Sequence, residues 1–174
     1  MTGLESFIRT IPDFPAPGID FRDITPLLAD REALRQAVER LAGEAREFGA
    51  DVVIGAEARG FLLGPALASA LDCGFVMARK PGKLPYATLS AAYSLEYGDE
   101  TLELHDDAIS QGHRVLVHDD LLATGGTARA VQELVEKSGG EVAGFSFLIE
   151  LDGLGGRELL SPLPVSSLVV FQES

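Results

Sequence analysis

Apolar residues fall along this chain in two rhythms. Short apolar-rich runs at Val52–Ile54, Phe75–Ala78, Val115–Val117, Val142–Ile149 and Val165–Phe171 have the length of strands covered on both faces. Between them the spacing becomes helical. Leu34, Val38, Leu41, Ala45 and Phe48 share one face of a helix predicted over about Asp30–Phe48 and closed by Gly49. A second, apolar helix begins near Phe61, and a third presents Val131, Leu134 and Val135 on one side. Strands alternating with helices predict an α/β fold around a mostly parallel central sheet flanked by helices.

Two segments break that rhythm. Pro12, Pro15, Pro17, Gly18 and Pro26 exclude a regular helix or a central strand from the first thirty residues, which read as a cap (residues 1–30) packed over the sheet. Between Leu84 and His105 the pattern fits a loose hairpin, with arms Ser90–Tyr97 and Thr101–His105 around Gly98 and Asp99. An excursion of this length (residues 81–105) is expected to be a mobile loop, and Tyr93, Glu96 and Tyr97 give it the side chains of a lid. The whole, residues 1–174, is expected to form one domain.

The bulk numbers narrow the functional classes. At 174 residues and 46% hydrophobic content the chain can bury a full core, and its net charge of −13 argues against a nucleic-acid partner. Against that acidity, local basic residues stand out. The lone Cys73 excludes an internal disulfide, no basic leader precedes the fold, and the apolar stretch Phe61–Leu71 is too short for a membrane span. A soluble protein of the reducing cytoplasm is expected.

The densest chemistry lies in Arg114–Arg129, RVLVHDDLLATGGTAR. A buried strand ends in Asp119 and Asp120, two adjacent carboxylates suited to the vicinal hydroxyls of a ribose ring. Downstream, Gly125 and Gly126 free the backbone to turn successive N–H groups inward, while Thr124 and Thr127 add hydroxyls. The turn opens a helix whose unpaired amides and positive end face the same anion. Taken alone, a double Asp before a Gly-rich turn is equally an ordinary turn with a helix cap; the preceding strand and acid pair favour a sugar phosphate. No G-x-x-x-x-G-K-[ST] occurs, and no G-x-G-x-x-G follows a strand, which removes the two commonest rival phosphate loops. Ligands of open parallel sheets bind beyond the carboxyl ends of the strands. Arg59 follows the Val52 strand there, and Lys80 and Lys83 follow the Phe75 strand, as expected for a second anionic group such as a diphosphate.

The Arg114–Arg129 segment resembles the phosphoribosyl pyrophosphate motif of the type I phosphoribosyltransferases. IPDFPAPGIDFRDITPLL (Ile11–Leu28), EARGFLLG, ARKPGKLP, YSLEYG and IELDGLGG extend the resemblance, over nearly the whole chain, to the branch of that family acting on adenine. It implies the type I fold, with an N-terminal hood and a mobile hairpin. It also implies that Ala123, Thr124, Gly125, Gly126 and Thr127 hold the ribose 5-phosphate, that Asp119 and Asp120 bind the ribose hydroxyls, and that Arg59, Lys80 and Lys83 hold pyrophosphate. Phe21 and Leu151 would sandwich the purine, with backbone around Asp20 and the side chain of Arg22 at its edge. Glu96 and Tyr97 would ride on the closing loop, with Glu96 as proton acceptor for the purine. Mg²⁺ is expected on the substrate's oxygens rather than in a protein cage, and a homodimer is expected. The implied reaction joins adenine and phosphoribosyl pyrophosphate into AMP and pyrophosphate. Xanthine, hypoxanthine or guanine remain alternative bases, and a donor-sensing regulator without turnover is a third reading, which usually needs an added DNA-binding module. Two positions depart from the family pattern: His118 and Asp20 stand where aliphatic residues are common.

Overall fold

The computed structural model describes residues 3–95 and 98–172. Its centre is a five-stranded sheet in the order β4-β3-β7-β8-β9, every neighbouring pair parallel. The strands are β3 (Val52–Ala56), β4 (Gly74–Ala78), β7 (Arg114–Leu122), β8 (Glu141–Asp152) and β9 (Val165–Gln172). From β3 the chain crosses to β4 on one side, and from β7 it crosses to β8 on the other. The direction therefore reverses between β3 and β7, where open α/β sheets form their ligand crevice.

Each face of the sheet buries one core. Val53, Leu116, Leu148 and Val169 pack against α2 (Arg31–Ala45) and α3 (Gly60–Ala70), through Ala37, Leu41, Leu63 and Leu67. Val52, Ile54, Val115, Val117, Phe145 and Phe147 pack on the other face against Val131, Leu134 and Val135 of α4 (Gly126–Lys137). Successive residues of β3 thus serve opposite faces, which is why these strands read as unbroken apolar runs.

The α2 helix ends earlier than its pattern predicts, at Ala45. A 3₁₀ turn (Arg46–Phe48) completes the apolar face, and Gly49 closes it in the left-handed region at φ 59°. At the other end Asp30 accepts hydrogen bonds from the amides of Glu32 and Ala33 at 3.0 and 2.8 Å, a cap worth about 1 kcal/mol. β7 also differs from its prediction. It does not end at Asp119 and Asp120 but runs on to Leu122, because the longer β8 continues to pair with it through Leu121–Ile149 and Leu122–Glu150.

The first thirty residues hold a 3₁₀ turn (Leu4–Phe7) and a two-stranded antiparallel sheet of β1 (Arg9–Ile11) and β2 (Phe21–Asp23), separate from the central one. They also hold one short helix that the proline content argued against, α1 (Thr25–Ala29). Pro26 lies in its first turn, where a missing amide costs nothing. The excursion after β4 is an antiparallel hairpin of β5 (Thr88–Leu95) and β6 (Gly98–His105); the first arm begins two residues earlier than the sequence indicates, and the second begins at Gly98 rather than Thr101. Ala91, Leu102 and Leu104 bury one side of it in the α4 core, and the Lys137 ammonium donates to the Ser90 carbonyl at 2.9 Å. A last short helix, α5 (Gly156–Leu160), lies between β8 and β9. No helix among the described residues is long and apolar enough to cross a membrane.

Candidate active site

At the reversal point, Arg59, Asp119, Leu122, Phe147 and the turn Ala123–Thr127 line a cavity of about 170 Å³. Its floor is backbone. Gly125 sits at φ 84°, a conformation that L side chains rarely adopt, and forms the N-cap of α4 with no side chain capping it. Gly126, Thr127 and Ala128 line the cavity, and as first-turn residues of α4 their amides have no partner within the helix. The turn is also held from behind. A Cβ on Gly125 would lie 3.1 Å from the Gly156 carbonyl oxygen and 3.2 Å from its Cα. The segment carrying Gly156 is itself clamped by Arg157, whose Nε donates to the buried Glu150 carboxylate at 2.9 Å.

Of the two acids of β7, Asp119 lines this cavity, whereas Asp120 lines neither this cavity nor the one beside it and is buried against Arg59; both are in unusual electrostatic states. Burial, followed by the neighbouring Asp120 charge, raises the Asp119 carboxyl well above its ordinary value. Burial raises Asp120 as well, opposed by the Arg59 guanidinium, whose Nε lies 3.3 Å from Asp120 Oδ2. Asp119 Oδ1 accepts from the Asp120 amide at 2.8 Å. The first residue of α3 is glycine for a steric reason: a Cβ on Gly60 would stand 3.0 Å from the His118 carbonyl oxygen and 3.2 Å from Asp119 Oδ1.

A second cavity, of about 410 Å³, opens beside the first. Phe14, Pro15, Ile19, Asp20, Phe21, Arg22, Arg59, Leu121 and Leu151 bound it. Phe14 meets the Phe21 ring edge-on at 5.2 Å, and the Arg59 guanidinium lies 5.5 Å from the centroid of Phe21. Arg22 donates to Thr10 Oγ1 at 2.6 Å and lies over the Phe171 ring at 4.3 Å, so it braces the cap against β9. Asp20 is exposed at the rim. The expected purine residues Asp20, Phe21 and Arg22, consecutive in the cap, and the distant Leu151 therefore share one apolar-walled hollow.

Lys80 and Lys83 line neither cavity. Arg59 belongs to both, so the three cations grouped by the sequence divide into one between the two cavities and two on the loop after β4. Glu57, assigned no role by the sequence reading, organises that loop. Its carboxylate accepts from the Lys80 amide at 2.8 Å and from Arg79 Nε at 3.3 Å, and pairs with Lys83 Nζ at 3.4 Å. Burial pushes the Glu57 carboxyl up, but these donors outweigh it and hold it below the usual range. Glu100 pairs with Lys80 Nζ at 3.1 Å and accepts from the Tyr93 hydroxyl at 2.9 Å. Burial, then the Glu100 contact, pushes the Tyr93 hydroxyl up to about 12. The glutamate after strand β3 was the available signal for Glu57; nothing in the spacing indicates Glu100. Glu96 and Tyr97 lie outside the described residues.

His118, one of the two departures from the family pattern, lies within β7. It is fully buried opposite Ser146, and neither ring nitrogen has a partner in hydrogen-bonding geometry. Burial lowers its pKa to about 4, opposed by the Ser146 backbone.

A crevice at the reversal of a parallel sheet, an amide-lined turn behind two carboxylates and an apolar hollow alongside together define a binding site for a phosphorylated sugar next to a flat ring. Comparison with known proteins gives the same class. The phosphoribosyl transferase domain model matches residues 27–165, and the chain belongs to that family. It is 52% identical over 167 residues to an adenine phosphoribosyltransferase of Thermosipho africanus, covering 96% of this chain and 98% of the relative. The crystal structure of adenine phosphoribosyltransferase from Rhodothermus marinus superposes with a TM-score of 0.91 at 55% identity, over 97% of this chain and 96% of that one. The Saccharomyces cerevisiae enzyme, solved with an imino-altritol bisphosphate and adenine, gives a TM-score of 0.91 at 39% identity over 95% and 96% of the two chains.

Proposed function

We infer that the chain transfers the 5-phosphoribosyl group of phosphoribosyl pyrophosphate to adenine, forming AMP and pyrophosphate. The observation that carries the reading is the adjacency of the turn at Ala123–Thr127 and the apolar hollow under Phe21, with Arg59 lining both, Asp119 in the first and Asp120 paired with Arg59. Relatives more than half identical over nearly their full length bear the same activity in their names.

In this reading Ala123, Thr124, Gly125, Gly126 and Thr127 hold the 5-phosphate through main-chain amides and the two threonine hydroxyls. Asp119 and Asp120 accept from the ribose hydroxyls. Phe21 and Leu151 stack on either face of adenine, with the Asp20 backbone and Arg22 at its edge. Lys80 and Lys83 take the diphosphate, and Arg59 lies where sugar, base and leaving group meet. A purine nitrogen attacks the anomeric carbon as the bond from that carbon to the diphosphate oxygen breaks, so the sugar ring passes through a state of cationic character. The barrier falls when the departing negative charge is held and water, the rival nucleophile, is excluded. The lysines supply the first. Residues 81–105 act as the lid that supplies the second, with Glu96 taking the proton from the purine imidazole and Tyr97 beside it. Residues 1–30 serve as the hood over the base, within one domain spanning 1–174.

A magnesium ion would arrive on the donor, with Asp119, the acid that lines the cavity, as the side chain placed to help hold it. When bound it would neutralise part of the diphosphate charge. The reading is completed by a homodimer working in the cytoplasm, and gel filtration checks the first of these.

Purified protein incubated with Mg²⁺, phosphoribosyl pyrophosphate and each purine in turn tests the assignment. AMP should form at a kcat/KM at least tenfold above those for IMP, GMP and XMP. A larger value for another nucleotide, or none for any, would contradict it.

A further inference from the structure

The arm β6 turns two acidic residues toward the basic loop after β4, and they engage it differently. Glu103 is fixed through main chain: its amide and carbonyl pair with Arg79 at 2.7 and 2.9 Å, and its carboxylate accepts from the Gly82 amide at 3.1 Å. Glu100, three residues nearer the hairpin tip, meets the loop through side chains alone. One carboxylate oxygen accepts from Lys80 Nζ at 3.1 Å and the other from the hydroxyl of Tyr93, its partner across the hairpin, at 2.9 Å. Lys80, and then Tyr93, hold the Glu100 carboxyl below its ordinary value, so it is an anion at neutral pH. The Glu100 and Lys80 side chains are 36% and 51% exposed, which makes the contact reachable by solvent and exchangeable.

We propose that Glu100 is a positioning residue that serves as the resident counterion of Lys80, holding its ammonium aimed into the loop until the donor's diphosphate displaces the carboxylate. The inference rests on the assignment of Lys80 to the diphosphate. An ammonium that is already paired has to give up one anion to take another, so the carboxylate competes with the leaving group for the same cation. A diphosphate, carrying more charge than one carboxylate, wins this exchange, and Glu100 with Tyr93 is released from the loop. No bond to carbon or phosphorus is made or broken in the exchange. Glu100 stands on β6 and Lys80 just after β4, so the exchange breaks one side-chain link between them, while the main-chain pair of Glu103 with Arg79 keeps the hairpin on the loop.

Calorimetric titration of the full chain with magnesium pyrophosphate, and separately with ribose 5-phosphate, tests this in E100Q, E100D, K80Q and the E100Q/K80Q double variant. E100Q should bind magnesium pyrophosphate about two- to fivefold more tightly, the scale of a solvent-reachable ion pair. Its affinity for ribose 5-phosphate should not change. E100D should return pyrophosphate binding toward the parent value, and the E100Q effect should vanish on the K80Q background. In steady state the KM for phosphoribosyl pyrophosphate should fall in E100Q while kcat does not rise. Unchanged or weaker pyrophosphate binding in E100Q, with K80Q weakening it, overturns the counterion role and leaves the Lys80 assignment standing. Loss of both ligands together in E100Q also overturns it. K80Q that binds pyrophosphate as tightly as the parent overturns the Lys80 assignment itself.

Discussion

In the proposed site, main-chain amides would meet the anion between Ala123 and Thr127, and the tips of long side chains would do so between Arg79 and Glu103. The first region is set by a left-handed glycine, by the end of a twelve-residue helix and by the backbone of Gly156 behind it. It carries no side-chain cap to be displaced. In the second, Lys80 and Lys83 are already paired with Glu100 and Glu57. A phosphate entering the first region meets donors aimed beforehand, whereas a diphosphate entering the second has to replace internal carboxylates. The turn is suited to holding one ligand group through the whole cycle, and the loop to gripping and releasing another.

The largest effect should come from filling the turn. In G125V the branched side chain is forced into the left-handed region and against Gly156 and Leu159. kcat/KM should fall on the order of 100-fold, as expected when misplaced substrate loses alignment. Ribose 5-phosphate affinity should fall with it and magnesium pyrophosphate affinity should hold. Equal losses for both ligands would dissolve the distinction between the regions.

A smaller effect concerns the strand that supports the turn. His118 has a folded pKa near 4 against an ordinary value of about 6.5. Between those values the unfolded chain takes up a proton that the folded chain refuses, so the contribution to stability is full above about pH 6.5 and is lost as pH falls toward 4. Urea titrations at pH 7 and 4.5 should show the parent losing about 2 to 3 kcal/mol more than H118V over that interval. Parallel losses would place the acid sensitivity elsewhere. The smallest of the three is K83Q, which should weaken magnesium pyrophosphate about fivefold and leave ribose 5-phosphate alone.

The same contrast explains what the sequence made legible. The turn is local: strand, acid pair, glycines and helix lie within RVLVHDDLLATGGTAR, and each residue type has a backbone reason to be there. The cap was legible in its prolines, but the purine hollow was reached through resemblance, because nothing in the spacing of Phe21 and Leu151 brings them together. The basic loop was only half visible. Lys80 and Lys83 stood out by charge, but their partners Glu57, Tyr93 and Glu100 come from other elements, and only the fold sets those distances. Arg59 was grouped with the lysines because it follows a strand end, yet its guanidinium turns toward Asp120 and Phe21. The continuation of β7 to Leu122 depends on how far β8 extends beside it, which no local window records.

The claim on which the account turns is that the amides of the Ala123–Thr127 turn hold the sugar phosphate. A crystal structure of the full chain with ribose 5-phosphate tests it most directly. The account predicts the phosphate oxygens within about 3 Å of the amide nitrogens of this turn, and the ribose hydroxyls on Asp119 and Asp120. A phosphate seated instead on Lys80 and Lys83, with the turn unfilled, would contradict it.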